Sequence, residues 1–181
     1  MIHGLHLVRL PNDVAQFATR ALSLDENFVF IFQRNLFQSP RNFLSQAQRL
    51  MVMGGEEDWR SAVSRAYYSV FHVVREFLEG LGFTVPQADR AHGYLWLRLQ
   101  NCGEPPLEQL GRDLKNMRGQ RNRADYNLHR PFRQSDAQQE VRLAATLIQL
   151  LDAVVEPTRT QVMNAMKDYE RQVLQVVTWH P

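Results

Sequence analysis

Apolar residues recur every three or four positions through most of this chain. From Val63 they run Val63, Ala66, Tyr67, Val70, Phe71, Val74, Phe77, Leu78 and Leu81. That spacing draws one continuous stripe along a helix of about five turns. Asp58 is its start signal, and Gly80 and Gly82 its stop. A later stretch, Val141, Ala144, Ala145, Ile148, Leu151 and Val155, has the same period, as does the last one, Val162, Ala165, Met166, Tyr169, Val173 and Val176. Phe43, Leu44, Ala47, Leu50 and Met51 predict a shorter helix ending at Gly54-Gly55.

Helix breakers fall between these stretches: Pro40, Gly54-Gly55, the Gly80/Gly82/Pro86 group, Gly103-Pro105-Pro106, Pro131 and Pro157. The intervals have helix length, and no alternating strand pattern stands out after residue 40. The expectation is an all-α, antiparallel up-down helical bundle over residues 41–155, with a C-terminal helix in 158–181 packed on it. Residues 1–40 read as an N-terminal extension. Within it Val14, Phe17, Ala18, Ala21 and Leu22 suit a short helix, while the apolar run Phe28 to Phe32 suits a buried strand or a buried helical turn equally.

Composition narrows the class. The chain has 181 residues, 44% hydrophobic and 22% charged, which is globular and not disordered. Its longest purely apolar run is too short to span a bilayer, so no membrane partner is expected. A single Cys, Cys102, excludes an internal disulfide. With no apolar signal segment behind a basic N-terminus, the chain reads as cytoplasmic. No metal-ligand spacing or phosphate-binding glycine loop occurs, so neither metal nor cofactor is expected.

Charge is unevenly spread. Between Leu110 and Arg133 lie seven basic residues against Asp113 and Asp125, a window of +5 in a chain whose formal net charge is +2. The stretch from Asp113 to about Leu128 is expected to be a helix ending before Pro131. A strip of Arg suits a phosphate backbone, because each contact adds attraction and releases counterions. Arg118 lies a turn above Arg121, which can pair with Asp125 on one face. Nearby His129 suits acid/base work on a phosphodiester. A solvated charged face is the plain alternative. On the long helix, Arg65, Tyr68, Ser69, His72 and Glu76 fall together opposite Val63 and Val70. That second face is either solvated or an interface carried by Arg65, Tyr68 and His72.

Three motifs add a resemblance. Ser61-Ala-Val-Ser-Arg-Ala-Tyr-Tyr-Ser-Val-Phe-His72 resembles the second-helix signature of HEPN domains, particularly the stand-alone prokaryotic group. His92-Gly93, with Leu95 and Leu97 beyond, resembles that group's middle helix, and Arg121-Asn-Arg-Ala-Asp-Tyr126 resembles its Arg-x-x-Ala-Asp-Tyr signature. The resemblance covers residues 41 to 155. It implies a helical bundle that dimerises across its motif-bearing helices. Many members are metal-independent endoribonucleases, in which an Arg steadies the transition state and a His moves the proton of a 2′-hydroxyl. Others bind nucleotides or pair with a small nucleotidyltransferase, often as toxin and antitoxin.

Counted from Arg121, the position of the family's catalytic His is occupied by Tyr126. Counted from Arg123, five residues intervene before His129, but on a straight helix these two lie about 120° apart. They converge only where the helix breaks before His129. Two readings therefore stand. One is a HEPN endoribonuclease of a toxin-antitoxin or defence system using Arg121 or Arg123 with His129. The other is a non-catalytic HEPN module that binds a nucleotide or a partner nucleotidyltransferase, with Asp125 and Tyr126 in structural roles; the residues expected to bind nucleic acid or nucleotide are Arg118, Arg121, Asn122, Asp125 and Tyr126. A homodimer is expected in either case.

Overall fold

The computed structural model describes residues 39–180, and the expected N-terminal elements lie outside the described residues. Within that range the chain forms six α-helices: α1 (Arg41–Met53), α2 (Glu56–Glu79), α3 (Arg90–Leu99), α4 (Pro105–Tyr126), α5 (Gln134–Asp152) and α6 (Thr158–Tyr169). Short connections join them into an all-α bundle, and the β-type pairing among the described residues is a single antiparallel bridge between Phe83 and Trp179.

Helix α2 is the centre of the bundle. It packs against α1, α3, α4 and α5, and the stripe read from its sequence is the buried one: Val63, Ala66, Tyr67, Val70, Phe71, Val74, Phe77 and Leu78 all lie in the core. Glu56, Glu57 and Asp58 occupy its first turn, where carboxylates complement the unsatisfied amides. Gly54, at φ 95°, ends α1 in the left-handed conformation and turns the chain into α2.

Two elements depart from the sequence expectation. Helix α4 begins at Pro105, well before Asp113. The Pro105-Pro106 pair, read as a breaker, starts the helix, because a first-turn residue needs no N–H and proline's fixed φ is already helical. The last apolar stripe does not continue through its length. Val162 and Met166 are buried, but Val173 and Val176 face solvent. A π-helical turn over Glu170–Leu174 inserts an extra residue per turn, and Gln175 ends it at φ 54°. Glu170, four residues after Met166 and fully buried, takes the next place on the stripe, and the register shift beyond it turns Val173 outward.

Gly111 sets the distance between α3 and α4. A Cβ there would come within 2.9 Å of the Gln100 nitrogen and of the Leu99 Cβ, closer than real contacts allow. The absence of a side chain lets α4 lie directly on the end of α3, bringing the polar edges of both helices to one surface.

Candidate functional site

The inner face of α4 buries Leu107, Leu110, Leu114, Met117 and Ala124. Arg118, Arg121 and Asp125 flank that apolar stripe and are half-buried. Arg121 is held on all sides. Its Nη2 donates to the Tyr68 hydroxyl on α2 at 3.0 Å, and its Nη1 to Asn122 Oδ1 at 3.1 Å and the Tyr126 hydroxyl at 3.4 Å. Its Nε lies 2.8 Å from Asp125 Oδ2, an ion pair whose alignment is not that of a hydrogen bond. The guanidinium carbon sits over the Tyr68 and Tyr126 rings at 5.3 and 5.4 Å. Asp125 also accepts from Ser64 Oγ at 3.4 Å, tying α4 to α2 a second time.

Arg118, one turn earlier, is differently placed. Its guanidinium lies over Trp96 of α3 at 5.6 Å, and among the described residues no carboxylate comes within ion-pair distance of it. His92 precedes Trp96 by four residues, so the two share a face of α3. The His92 Nδ1 is 2.5 Å from the Tyr67 hydroxyl, and its ring packs on Phe71 with centroids 4.7 Å apart. Burial, then the charge of Arg118 and more weakly that of Arg121, lowers the His92 pKa, with Asp89 opposing. Burial raises the Tyr67 pKa, so its hydroxyl keeps its proton. A protonated phenol facing a neutral imidazole donates to Nδ1 and leaves the ring proton on Nε2.

His72 and Arg65 belong to an adjoining patch. His72 stacks on Phe43 of α1 with centroids 5.5 Å apart, and Arg65 lies over the same ring at 5.7 Å. Burial, then Arg75, lowers the His72 pKa against the opposing charge of Glu76.

On the other side of α4, Arg123 pairs with Asp136 at 3.2 Å and lies over Phe132 at 5.3 Å. The connection after α4 is secured by buried Arg60 of α2, which donates to the carbonyls of Ala124 at 2.8 Å and Arg130 at 2.5 Å and covers Phe132. His129 stands exposed in that connection.

The family model described as HEPN domain matches residues 34–154, two thirds of the chain. The chain belongs to the HEPN domain family. The comparison with curated proteins and that with solved structures each returned no match. The six-helix bundle agrees with the all-helical HEPN fold, and the Arg-x-x-Ala-Asp-Tyr signature now has a physical reading. Its Arg, Asp and Tyr are Arg121, Asp125 and Tyr126, which close on one another and on Tyr68, docking α4 onto α2.

The HEPN site residues expected from sequence divide into groups. Arg118, Arg121, Asn122, Asp125 and Tyr126 gather on one edge of α4, and Tyr68 joins them from α2. Arg65 and His72 meet over Phe43 instead. Arg123 faces Asp136, away from Arg121, and among the described residues no hydrogen bond joins either Arg to His129. Sequence reasoning missed His92 and Trp96 as members of the site, and Arg60 as the anchor of the α4 end. The four-residue spacing of His92 and Trp96 was the available signal. Nothing in the sequence says that α3 lies against Arg118.

The site is cationic and aromatic. Among the described residues no cluster of His, Cys, Asp and Glu can hold a metal ion, and no helix is long and apolar enough to cross a membrane. Its chemistry suits an anion with a flat, stackable group.

Proposed function

We propose that this HEPN protein binds single-stranded RNA at the α2–α3–α4 face, with Arg118 as the principal phosphate contact. The single observation that carries this is the contrast between neighbouring cations. Arg121 and Arg123 are each committed to a carboxylate of this chain, whereas Arg118 has an aromatic ring beneath it and, among the described residues, no carboxylate. A guanidinium so placed keeps its planar fork of donors for a phosphate. Tyr126, 65% exposed and packed against Arg121 about two turns further along α4, offers a ring on which an unpaired base stacks. Arg121 acts here as a positioned charge that adds attraction while holding Tyr68 and Tyr126 in place.

Fluorescence anisotropy with a labelled single-stranded RNA tests this reading. Arg118→Ala is expected to weaken binding at least fivefold, on the order of 1 kcal/mol for a lost charged contact. Arg142→Ala, on exposed α5 surface, is the matched charge control. Equal affinity of wild type and Arg118→Ala would overturn it. The same samples, kept in chelator, report on scission. Products with 2′,3′-cyclic phosphate ends, lost in His129→Ala and in either Arg121→Ala or Arg123→Ala, would assign the endoribonuclease role to His129 with that Arg.

The family's tendency to dimerise raises the question of which exposed apolar side chains could pair. Leu128, 69% exposed, follows Tyr126 by two residues just past the end of α4, and apolar side chains at an interface core commonly sit beside aromatic and Arg residues. We propose a homodimer, with a nucleotidyltransferase partner as the alternative occupant. Light scattering of wild type and Leu128→Asp distinguishes a dimer that the charge disrupts from a monomer that it leaves unchanged.

A further inference from the structure

We infer that His92, oriented by Tyr67, is a proton-sensitive second ligand to the RNA phosphate held by Arg118, so that this protein grips RNA more tightly as the pH falls. The inference rests on the RNA-binding reading above and deepens it.

Geometry supplies the argument. The Tyr67 hydroxyl occupies Nδ1 at 2.5 Å, and Phe71 and Tyr67 pack the ring at centroid distances of 4.7 and 5.7 Å. The imidazole is therefore fixed in both position and tautomer. Among the described residues its Nε2 has no hydrogen-bond partner, and the residue is only half-buried, so that nitrogen remains for a ligand. Trp96, one turn along the same face, carries the Arg118 guanidinium. A phosphate oxygen on Arg118 is then near the one imidazole nitrogen that still needs a partner.

The proton sensitivity follows from the charges around the ring. Facing it are Arg118 and Arg121 from α4, His72 and Tyr67 from α2, and Asp89 at the start of α3. In the free protein the two guanidiniums and burial oppose protonation, so His92 is neutral at neutral pH. A phosphate placed among these groups cancels the repulsion and favours the imidazolium: the added proton goes onto Nδ1, the Tyr67 hydroxyl turns to accept from it, and Nε2–H stays on the phosphate. Bound His92 then has a higher pKa than free His92, and protons are taken up on binding. The sign is fixed: affinity rises as pH falls toward the free value and levels off below it. Each unit by which the phosphate raises the pKa is worth up to about tenfold in affinity.

Anisotropy with a single-stranded RNA lacking terminal phosphates tests this, because a phosphodiester does not itself titrate in the range. At fixed ionic strength between about pH 8 and about pH 5.5, wild type is expected to gain several-fold in affinity, bracketing the ordinary His range. His92→Gln, which keeps a donor without a titratable proton, should show a flat profile. His72→Gln should retain the wild-type rise. An NMR titration of the His92 ring in the full chain, free and with RNA, reads the pKa directly and needs no variant. It should move up on binding. A wild-type rise preserved in His92→Gln, or an unmoved His92 titration, overturns the inference while leaving the RNA-binding reading intact. If Arg118→Ala binds as wild type does, the RNA-binding reading fails and this inference with it.

Discussion

Arg60 of α2 donates to the carbonyl of Ala124 at 2.8 Å, placing a buried guanidinium at the C-terminal end of α4. The last carbonyls of a helix have no partner within it and carry partial negative charge. One side chain satisfies two of these needs, since Arg60 also reaches the carbonyl of Arg130 beyond the helix. Glu56, one turn earlier on α2, holds the guanidinium at 2.8 Å. The signature residues Arg121 to Tyr126 are thus anchored from α2 at both ends, by Tyr68 and by Arg60.

Removing that anchor has a definite cost. Arg60→Ala leaves buried carbonyls unsatisfied and uncovers Phe132, and is expected to destabilise the fold by about 3 kcal/mol. Arg60→Lys should recover less than half, because an ammonium cannot span the two carbonyl positions with a planar fork. Chemical denaturation measures both.

The Arg121–Asp125 pair holds a site cation back from solvent ligands. Asp125→Asn removes the local negative charge while keeping the shape. RNA affinity is expected to rise two- to fivefold, and the plot of log affinity against log salt to steepen by about 0.7, the increment for one further phosphate contact on a single strand. Stability should fall by about 1 kcal/mol or less, as for a partly exposed pair. Titrations at three or more salt concentrations measure the slope.

Glu140 of α5 makes the fold sensitive to pH. Its Oε2 is out of water and, among the described residues, without a hydrogen-bond partner, and burial, then Asp113 and Asp136, pushes the carboxyl pKa up to about 7 from 4.5. A carboxyl raised in the folded state keeps its proton while the unfolded chain loses it. Stability is therefore greatest below about 4.5 as far as this group is concerned, and declines as pH rises to about 7. Glu140→Gln should stabilise the protein at pH 8 by on the order of 1–2 kcal/mol, less than the full shift because the residue is only partly withdrawn from water. Below the unfolded value the substitution should make little difference. Denaturant midpoints at the two extremes test the sign.

Arg98 and Glu170 form a buried ion pair that reaches beyond the family match. Arg98 Nε donates to Glu170 Oε1 at 2.7 Å, and the second Glu170 oxygen accepts from the Thr178 amide at 2.9 Å. Glu170→Ala strands a buried guanidinium and should cost about 3–5 kcal/mol. Protease should then cut the chain after α6 first, since Thr178 holds the C-terminal segment against Tyr94 and Thr84. Limited proteolysis followed by mass measurement locates the cut.

The legible parts of this fold are those governed by local periodicity. The α2 stripe from Val63 to Leu78 is buried as its spacing requires, because 3.6-residue periodicity and the core face are the same fact. Val173 and Val176 share that periodicity yet lie in solvent. A π-helical turn over Glu170–Leu174 shifts the register after Glu170, which is buried in its long-range pairing with Arg98. Arg118, Arg121 and Asp125 were legible as one edge of α4, since spacings of three and four residues place them there. The arrival of His92 and Trp96 beside them depends on Gly111 letting two helices touch, a contact between distant residues that a one-dimensional pattern does not encode. Arg60 looked like any charged residue in a helix's first turns, and its role exists only once α4 ends in front of it.

The central claim is that Arg118 contacts an RNA phosphate, and the salt dependence of binding tests it most directly. For wild type and Arg118→Ala, log affinity for one single-stranded RNA is measured against log salt concentration at neutral pH. Loss of one phosphate contact lowers the slope by about 0.7 and weakens binding uniformly across RNA sequences. Parallel lines of equal height for the two proteins would contradict the claim, and α4's basic edge would then be a solvated surface.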